Sequence, residues 1–159
     1  MKFFSASEKQ TFNFAKKFSK NLTGGVTLGL TGNLGAGKTI FTKGLALGLG
    51  IKKNITSPTF VLMKVYPVKS RSARILPKAK LFNGVNPVNK HQQIKFLVHI
   101  DAYRIKSVHD LIAIGADEYF KRPDTITVIE WADKIKKILP KKTRFVKITI
   151  NKASRIINY

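Results

Sequence analysis

The spacing of apolar positions predicts an amphipathic helix near the start of the chain. A set of apolar and small residues recurs every three or four positions, as in a helix with one buried face: Thr11, Ala15, Phe18 and Leu22. Ser5 and Glu8 precede them at the spacing of a capping box, in which the two side chains satisfy free backbone N–H groups at a helix start. This pattern predicts a helix over 8–22.

Short apolar runs predict strands that alternate with further helices. The predicted strands cover 26–30, 60–66, 94–101, 125–131 and 144–150, and a run over 154–158 pairs with the last of these as a hairpin. The predicted helices cover 38–49, 107–114 and 132–139, the second with Ser107 and Asp110 at capping-box spacing. Alternating strands and helices are typical of an α/β fold with a largely parallel sheet.

Composition indicates one globular domain over 1–159. Hydrophobic residues make up 43% of the 159 residues and charged residues 24%, which are ordinary values for a globular protein. The sequence has no cysteine, which excludes disulfides and thiolate metal sites. We see no secretory leader and no apolar run of the ~18 residues that a membrane helix needs. We therefore expect a cytoplasmic protein without a membrane partner.

Positive charge dominates the chain. Lys and Arg number 30 against 8 Asp and Glu, which gives a net charge of +22, and no carboxylate lies between Glu8 and Asp101. The stretch 67–93 is the least regular part of the chain, and we interpret it as a basic loop or hairpin insertion. Such a field attracts nucleotides, tRNA and other phosphates. The alternative explanation of the charge is that neutral surface positions have drifted to lysine without a role in binding phosphates.

A glycine-rich segment after the predicted strand 26–30 has the sequence of a phosphate-binding loop, G-x-x-x-x-G-K-[ST], and a helix is predicted directly after it. Glycine lets the backbone N–H groups turn toward phosphate oxygens, and the helix N-terminus adds positive charge. Lys38 reaches the β- and γ-phosphates, and the Thr39 hydroxyl binds Mg²⁺. A guanine-recognition motif Asn-Lys-x-Asp is absent, which favours ATP over GTP. The predicted nucleotide-binding residues are Gly32, Asn33, Leu34, Gly35, Ala36, Gly37, Lys38 and Thr39.

Two carboxylates each end a predicted apolar strand. Asp101 and Glu130 are candidate catalytic groups together with Lys38, because the carboxyl ends of parallel strands face the ligand crevice. The run before Glu130 fits a Walker B strand better, which makes Glu130 the candidate Mg²⁺ ligand beside Thr39. The alternative for both acids is ion pairing with surface lysines. His99 shares the strand face of Asp101 and is either a site residue or a half-buried structural histidine.

Five segments in order resemble the TsaE (YjeE) family, over about 11–157. The loop 32–39 is similar to the family's GDLGAGKT, with Asn33 where Asp is usual. Segment 57–60 resembles S-P-T-[FY] and 99–104 resembles H-x-D-x-Y-R. The remaining matches are 118–120 to D/E-Y-F and 129–131 to I/V-E-W.

The resemblance implies a P-loop NTPase-like fold of three layers with a mixed sheet. It implies a small ATPase of threonylcarbamoyladenosine (t6A) synthesis in tRNA, weak alone and stimulated by the TsaB–TsaD pair, in which TsaD transfers the threonylcarbamoyl group. Lys38 and Thr39 would be the phosphate and Mg²⁺ contacts of an ATP-binding site.

The resemblance also assigns roles to residues outside the loop. Glu130 matches the family's acid near Mg²⁺, and Asp101 matches its second essential acid. Trp131 matches an aromatic residue near the nucleotide, and Thr11 a position near the adenine end. Segment 57–59 matches a switch-like loop.

Two features depart from the family pattern and leave other functions open. The stretch 67–93 is longer than the connection usual in the family, and the +22 charge is atypical. One alternative is a P-loop small-molecule kinase with Arg71 and Arg74 as lid residues. The other is a nucleotide-gated RNA-binding module whose basic insertion contacts tRNA, and this alternative overlaps with the TsaE interpretation because a tRNA contact is compatible with a TsaE-like protein.

Overall fold

A seven-stranded mixed sheet runs through the part of the chain that the computed structural model describes, residues 1–68, 94–105, 107–120 and 122–159. Its order is β1-β7-β6-β2-β5-β4-β3. Strands β6, β2, β5 and β4 run parallel to one another, and β1, β7 and β3 pair antiparallel toward the two edges. The strands are β1 (Lys2–Ser5), β2 (Thr27–Thr31), β3 (Met63–Pro67), β4 (Phe96–Asp101), β5 (Thr125–Glu130), β6 (Arg144–Asn151) and β7 (Ser154–Asn158).

Helices cover both faces of this sheet and bury one hydrophobic cluster on each. On one face Phe18 and Leu45 pack in a cluster with Leu28 of β2, and on the other face Leu111 packs with Ile129 of β5. The predicted α/β fold with three layers and a mixed sheet is confirmed. The α-helices are α1 (Glu8–Phe18), α2 (Lys38–Gly48), α3 (Val108–Ala113) and α4 (Ala116–Phe120), and the 3₁₀ helices are Ser19–Asn21 and Ala132–Ile138.

The prediction that Ser5 caps the first helix is wrong. Ser5 ends β1, a strand that the sequence pattern did not predict, and it pairs there with Arg155 of β7. Ser7 is the cap instead, because its extended backbone lets its hydroxyl accept the backbone N–H of Gln10 at 3.2 Å. The α-helix is also shorter than 8–22, since the chain tightens into the 3₁₀ helix Ser19–Asn21.

Two further elements differ in detail from their predictions. The predicted helix 132–139 is the 3₁₀ helix Ala132–Ile138, whose backbone leaves helical geometry at the buried Ile135. Strand β3 begins at Met63 rather than at 60, because the preceding segment turns at Leu62, which has φ 61° and accepts a hydrogen bond from the backbone N–H of Asp101. The capping box of Ser107 and Asp110 at α3 is confirmed.

The basic insertion falls mainly outside the described residues. β3 ends at Pro67 and β4 begins at Phe96. Residues 69–93, which carry the predicted basic loop or hairpin, are not among those described, so that interpretation stays a prediction. Within the described ranges, no helix has the length and apolar character to cross a membrane.

Candidate nucleotide-binding site

A cleft of about 310 Å³ opens at the carboxyl ends of the parallel strands β2, β5 and β4. This is the end of an α/β sheet at which ligands bind, and the volume lies at the lower end of the usual range for ligand pockets. Residues 34–39 of the predicted phosphate loop line the cleft. Its other walls include the side chains of Ser57, Thr59, Asp101, Glu130 and Trp131.

The phosphate loop takes a backbone shape that requires glycine at two positions. Gly32 has φ 137°, and a Cβ built on it would lie 2.1 Å from the carbonyl oxygen of Ile148 on β6. Gly37 has φ 103° and is the N-cap of α2, so the first turn of the helix begins at Lys38. A side chain would be strained at either position. The loop therefore delivers the N-terminus of α2, with its unpaired N–H groups, to the cleft.

Lys38 is a buried cation at the base of this loop. Its side chain is 5% exposed, and its ammonium donates to the carbonyl oxygens of Gly32 at 2.7 Å and Asn33 at 2.9 Å. The same nitrogen lies 3.6 Å from the centre of the Trp131 ring. Loss of hydration through burial lowers the pKa of Lys38, and the nearby carboxylates, first Glu130, oppose that change. A poorly hydrated cation in this position is suited to bind anionic phosphate.

The two strand-end carboxylates lie side by side in the cleft. Asp101 and Glu130 are register partners on β4 and β5, and each is 3% exposed. Alternation along the strands puts both on the sheet face that α1 and α2 cover. Their burial contradicts the alternative that they form ion pairs with lysines at the surface.

Glu130 is held through both carboxylate oxygens. Oε2 accepts the Thr39 hydroxyl at 3.0 Å, and Oε1 lies 2.8 Å from Nε2 of His99. His99 is 0% exposed, so the expectation of a half-buried histidine is wrong. The strand register explains the burial, because His99 lies in the central part of β4 with β3 and β5 on either side.

Asp101 has a separate set of partners. Oδ2 accepts the hydroxyls of Ser57 at 2.5 Å and Thr59 at 2.6 Å, and Oδ1 accepts the backbone N–H of Tyr103 at 2.9 Å. Segment 57–59 is therefore tied to this carboxylate. Three donors on one buried carboxylate orient it firmly toward the cleft.

The oxygen pair of Thr39 and Glu130 fits Mg²⁺. Adjacent oxygen ligands of an octahedral Mg²⁺ with bonds of 2.0–2.1 Å lie about 3 Å apart, and the two protein oxygens are 3.0 Å apart. The described residues contain no group of three or more His, Cys, Asp or Glu placed to hold a metal. The Thr39 hydroxyl and the Glu130 carboxylate together offer two oxygen ligands, and Mg²⁺ typically binds few protein oxygens while it keeps several waters and contacts substrate phosphates.

Trp131 covers one side of the cleft. Its backbone is left-handed, with φ 59° and ψ 39°, so the chain turns sharply after β5. This turn puts the indole beside the Lys38 ammonium and 5.0 Å from the ring of Tyr103. Thr11 is fully buried on α1, bonded to the Ser5 hydroxyl at 2.8 Å, and not among the residues that line the cleft, and its place near the adenine end stays a prediction.

Arg155 is a site residue that sequence reasoning missed. It lies on β7, and its Nε donates to the carbonyl oxygen of Ala36 in the phosphate loop at 3.2 Å. One of its terminal nitrogens lies 3.5 Å from the carboxylate of Glu8, which lines the cleft from α1. Arg155 belongs to no recognisable motif, and only the β1-β7-β6 pairing brings it to the loop.

Comparison with known proteins identifies the family of this chain. The chain matches the family model described as threonylcarbamoyl adenosine biosynthesis protein TsaE over residues 5–76 and 82–157. It is 34% identical over 150 residues to the tRNA threonylcarbamoyladenosine biosynthesis protein TsaE of Treponema pallidum, covering 94% of this chain and 92% of that protein. The TsaE of Borreliella burgdorferi is 36% identical, with 87% and 83% covered.

A solved structure is similar over nearly the whole chain. The crystal structure of Bacillus subtilis YdiB superimposes with a TM-score of 0.68 at 30% sequence identity, covering 99% of this chain and 82% of that one. The family match and the curated relatives both extend over most of the sequence. The chain therefore belongs to the TsaE family and has that family's role in the biosynthesis of threonylcarbamoyladenosine in tRNA.

Proposed function

We propose that this protein binds ATP with Mg²⁺ and hydrolyses it, as an accessory ATPase for threonylcarbamoyl transfer to adenosine in tRNA. It acts through a TsaB–TsaD-like transferase, hydrolyses ATP slowly alone, and does not carry out the transfer itself. One observation carries the ATPase proposal: a buried lysine, a hydroxyl and two buried carboxylates converge on one cleft at Lys38, Thr39, Asp101 and Glu130.

The phosphate loop and α2 bind the triphosphate. Backbone N–H groups of the loop and of the first turn of α2 donate hydrogen bonds to the phosphate oxygens. The Lys38 ammonium, held in place by the carbonyls of Gly32 and Asn33, binds the β- and γ-phosphates. Thr39 and Glu130 hold Mg²⁺, which when bound neutralises charge that develops on the phosphates.

The second carboxylate prepares the water that attacks the γ-phosphate. Asp101 faces the same cleft as Glu130 but has no contact with Thr39, and the hydroxyls of Ser57 and Thr59 fix its orientation. It orients the water and accepts its proton as the bond from the water oxygen to the γ-phosphorus forms and the bond from that phosphorus to the β–γ bridging oxygen breaks, which releases ADP and phosphate. Segment 57–59 then follows the state of the γ-phosphate through these two hydroxyl contacts.

A reconstitution tests the proposal. Phosphate release from ATP is measured for the chain alone and with TsaB and TsaD from a related bacterium, with Lys38→Ala as the matched control. We expect slow release alone, faster release with the partners, and t6A formation that depends on the added chain and is lost with K38A. Phosphate transfer to a small molecule in place of release to water would favour the kinase alternative. Activity equal to that of K38A under all conditions would contradict the proposal.

A further inference from the structure

A histidine lies directly behind the carboxylate that faces the metal position. His99 is on β4, its register partner on β5 is Val128, and its ring reaches diagonally to Glu130 two residues further along that strand. Nε2 is 2.8 Å from Oε1 of Glu130, and His99 is 0% exposed. The contact is therefore made away from solvent, on the inner side of the cleft wall.

The hydrogen-bond pattern of this ring points to Glu130 alone. An ionised carboxylate can only accept, so Nε2 carries the hydrogen and donates it. Nδ1 is buried and makes no hydrogen bond within the described part of the chain. A buried nitrogen without a partner costs stability. Among the described residues, the Glu130 carboxylate is the one hydrogen-bond partner of this ring, so the contact with Glu130 is what explains a histidine at this position.

The two oxygens of Glu130 have different partners as a result. Oε1 is held from within the sheet by His99, and Oε2 meets the Thr39 hydroxyl at 3.0 Å. We propose that His99 is a positioning residue: it fixes the Glu130 carboxylate so that Oε2 faces the Mg²⁺ position beside Thr39. This inference rests on the proposed function, because it concerns the same Mg²⁺-dependent nucleotide site.

His99 acts only through Glu130. It is not among the residues that line the cleft, and within the described residues it makes no hydrogen bond to the phosphate loop or to Lys38. Its loss should therefore leave metal-free nucleotide binding unchanged and weaken the contribution of Mg²⁺. Partners that orient a metal ligand from behind typically change metal affinity or activity by about 10–100-fold when they are removed.

A matched pair of variants distinguishes the effect of the hydrogen-bond donor at Nε2 of His99 from the effect of the packing of its side chain. His99→Gln places an amide donor at about the reach of Nε2, and His99→Met has a similar length and shape without a donor. Calorimetry measures ADP affinity with Mg²⁺ and with EDTA, and His109→Gln on the exposed side of α3 is the control. We expect the ADP affinity in EDTA to be the same for all variants and the wild type. The increase in ADP affinity that Mg²⁺ produces should be about 10–100-fold smaller for H99M than for the wild type. H99Q should recover most of that increase.

Failure of the His99 proposal and failure of the proposed function give different results. Equal Mg²⁺ dependence of ADP affinity in H99M and the wild type would overturn the assignment of His99 and leave the proposed function standing. A wild-type chain whose ADP affinity is the same with Mg²⁺ and with EDTA would contradict the proposed function itself. If both variants fail to fold, ¹⁵N-histidine NMR of the wild type decides. The resonance of the buried Nε2–H should shift more with ADP and Mg²⁺ than with ADP and EDTA, and equal shifts would overturn the proposal.

Discussion

Asp101 and Glu130 are direct register partners on two parallel strands, yet their carboxylates share no hydrogen-bond partner among the described residues. Glu130 is bound by Thr39 of the phosphate loop and by His99, whereas Asp101 is bound by the hydroxyls of segment 57–59. Two neighbouring buried carboxylates with separate partners can take different roles, with Glu130 binding Mg²⁺ and Asp101 activating the attacking water. That division can be tested one residue at a time.

Glu130→Gln should abolish hydrolysis and preserve nucleotide binding. The amide keeps the size of the side chain, but it has no negative charge to share with Mg²⁺, while Lys38 and the loop backbone still hold the phosphates. The expected kcat falls by about 100-fold or more, in the range that the loss of a catalytic acid or base costs. Steady-state phosphate release and calorimetry with ADP measure the two effects. Loss of ADP binding in EDTA would instead make Glu130 a structural residue.

Asp101→Asn should lower kcat to a similar degree for a different reason. An amide cannot take a proton from water, and the expected loss is again about 100-fold or more. Mg²⁺ dependence should stay as in the wild type, because Asp101 does not contact Thr39. A Mg²⁺ titration of the residual activity checks this. If only one of the two variants is impaired, the model with two working carboxylates is wrong.

Lys38→Ala should remove tight ATP binding. The ammonium is buried at 5% exposure between two loop carbonyls and the Trp131 ring. Removing one partner of a buried charged contact costs about 2–5 kcal/mol, so calorimetry should show a large loss of affinity. Lys43→Ala is the control, since Lys43 is on the same helix but does not line the cleft. Unchanged affinity in K38A would remove Lys38 from the site.

Local motifs account for much of what the sequence could predict. The loop 32–39 and the strand-end acids Asp101 and Glu130 are each recognisable within a few residues, and the structure brings all three to one cleft. Contacts made by distant pairing could not be predicted. Arg155 meets Ala36 across 119 positions, and Ser5 became a strand residue because β1 pairs with β7. The four residues of β1 and the five of α4 are also too few to show a clear period.

Trp131 should report nucleotide binding by fluorescence. It is the single tryptophan of the chain, it lines the cleft, and its ring lies 3.6 Å from the Lys38 ammonium. When phosphate binds at the Lys38 ammonium, the electric field at the indole changes, so emission should change on saturation with ATP and Mg²⁺. The K38A variant provides the control, in which the change should disappear. A constant emission would show that Trp131 serves the packing of the cleft wall alone.

Arg155→Met should weaken nucleotide binding although Arg155 contributes no motif. The guanidinium ties the carbonyl oxygen of Ala36 to Glu8, and so joins the phosphate loop to α1 and β7. Methionine keeps the unbranched stem and loses these bonds, and a hydrogen bond that involves a charged group is worth about 1.5–3 kcal/mol. The Kd for ADP should therefore rise by about 10-fold or more. Arg122→Met is the matched control, because Arg122 forms an exposed pair with Asp124 and exposed pairs contribute little. If R155M binds ADP as tightly as R122M, the loop keeps its shape without help from β7, and Gly32 and Gly37 alone are sufficient to set it.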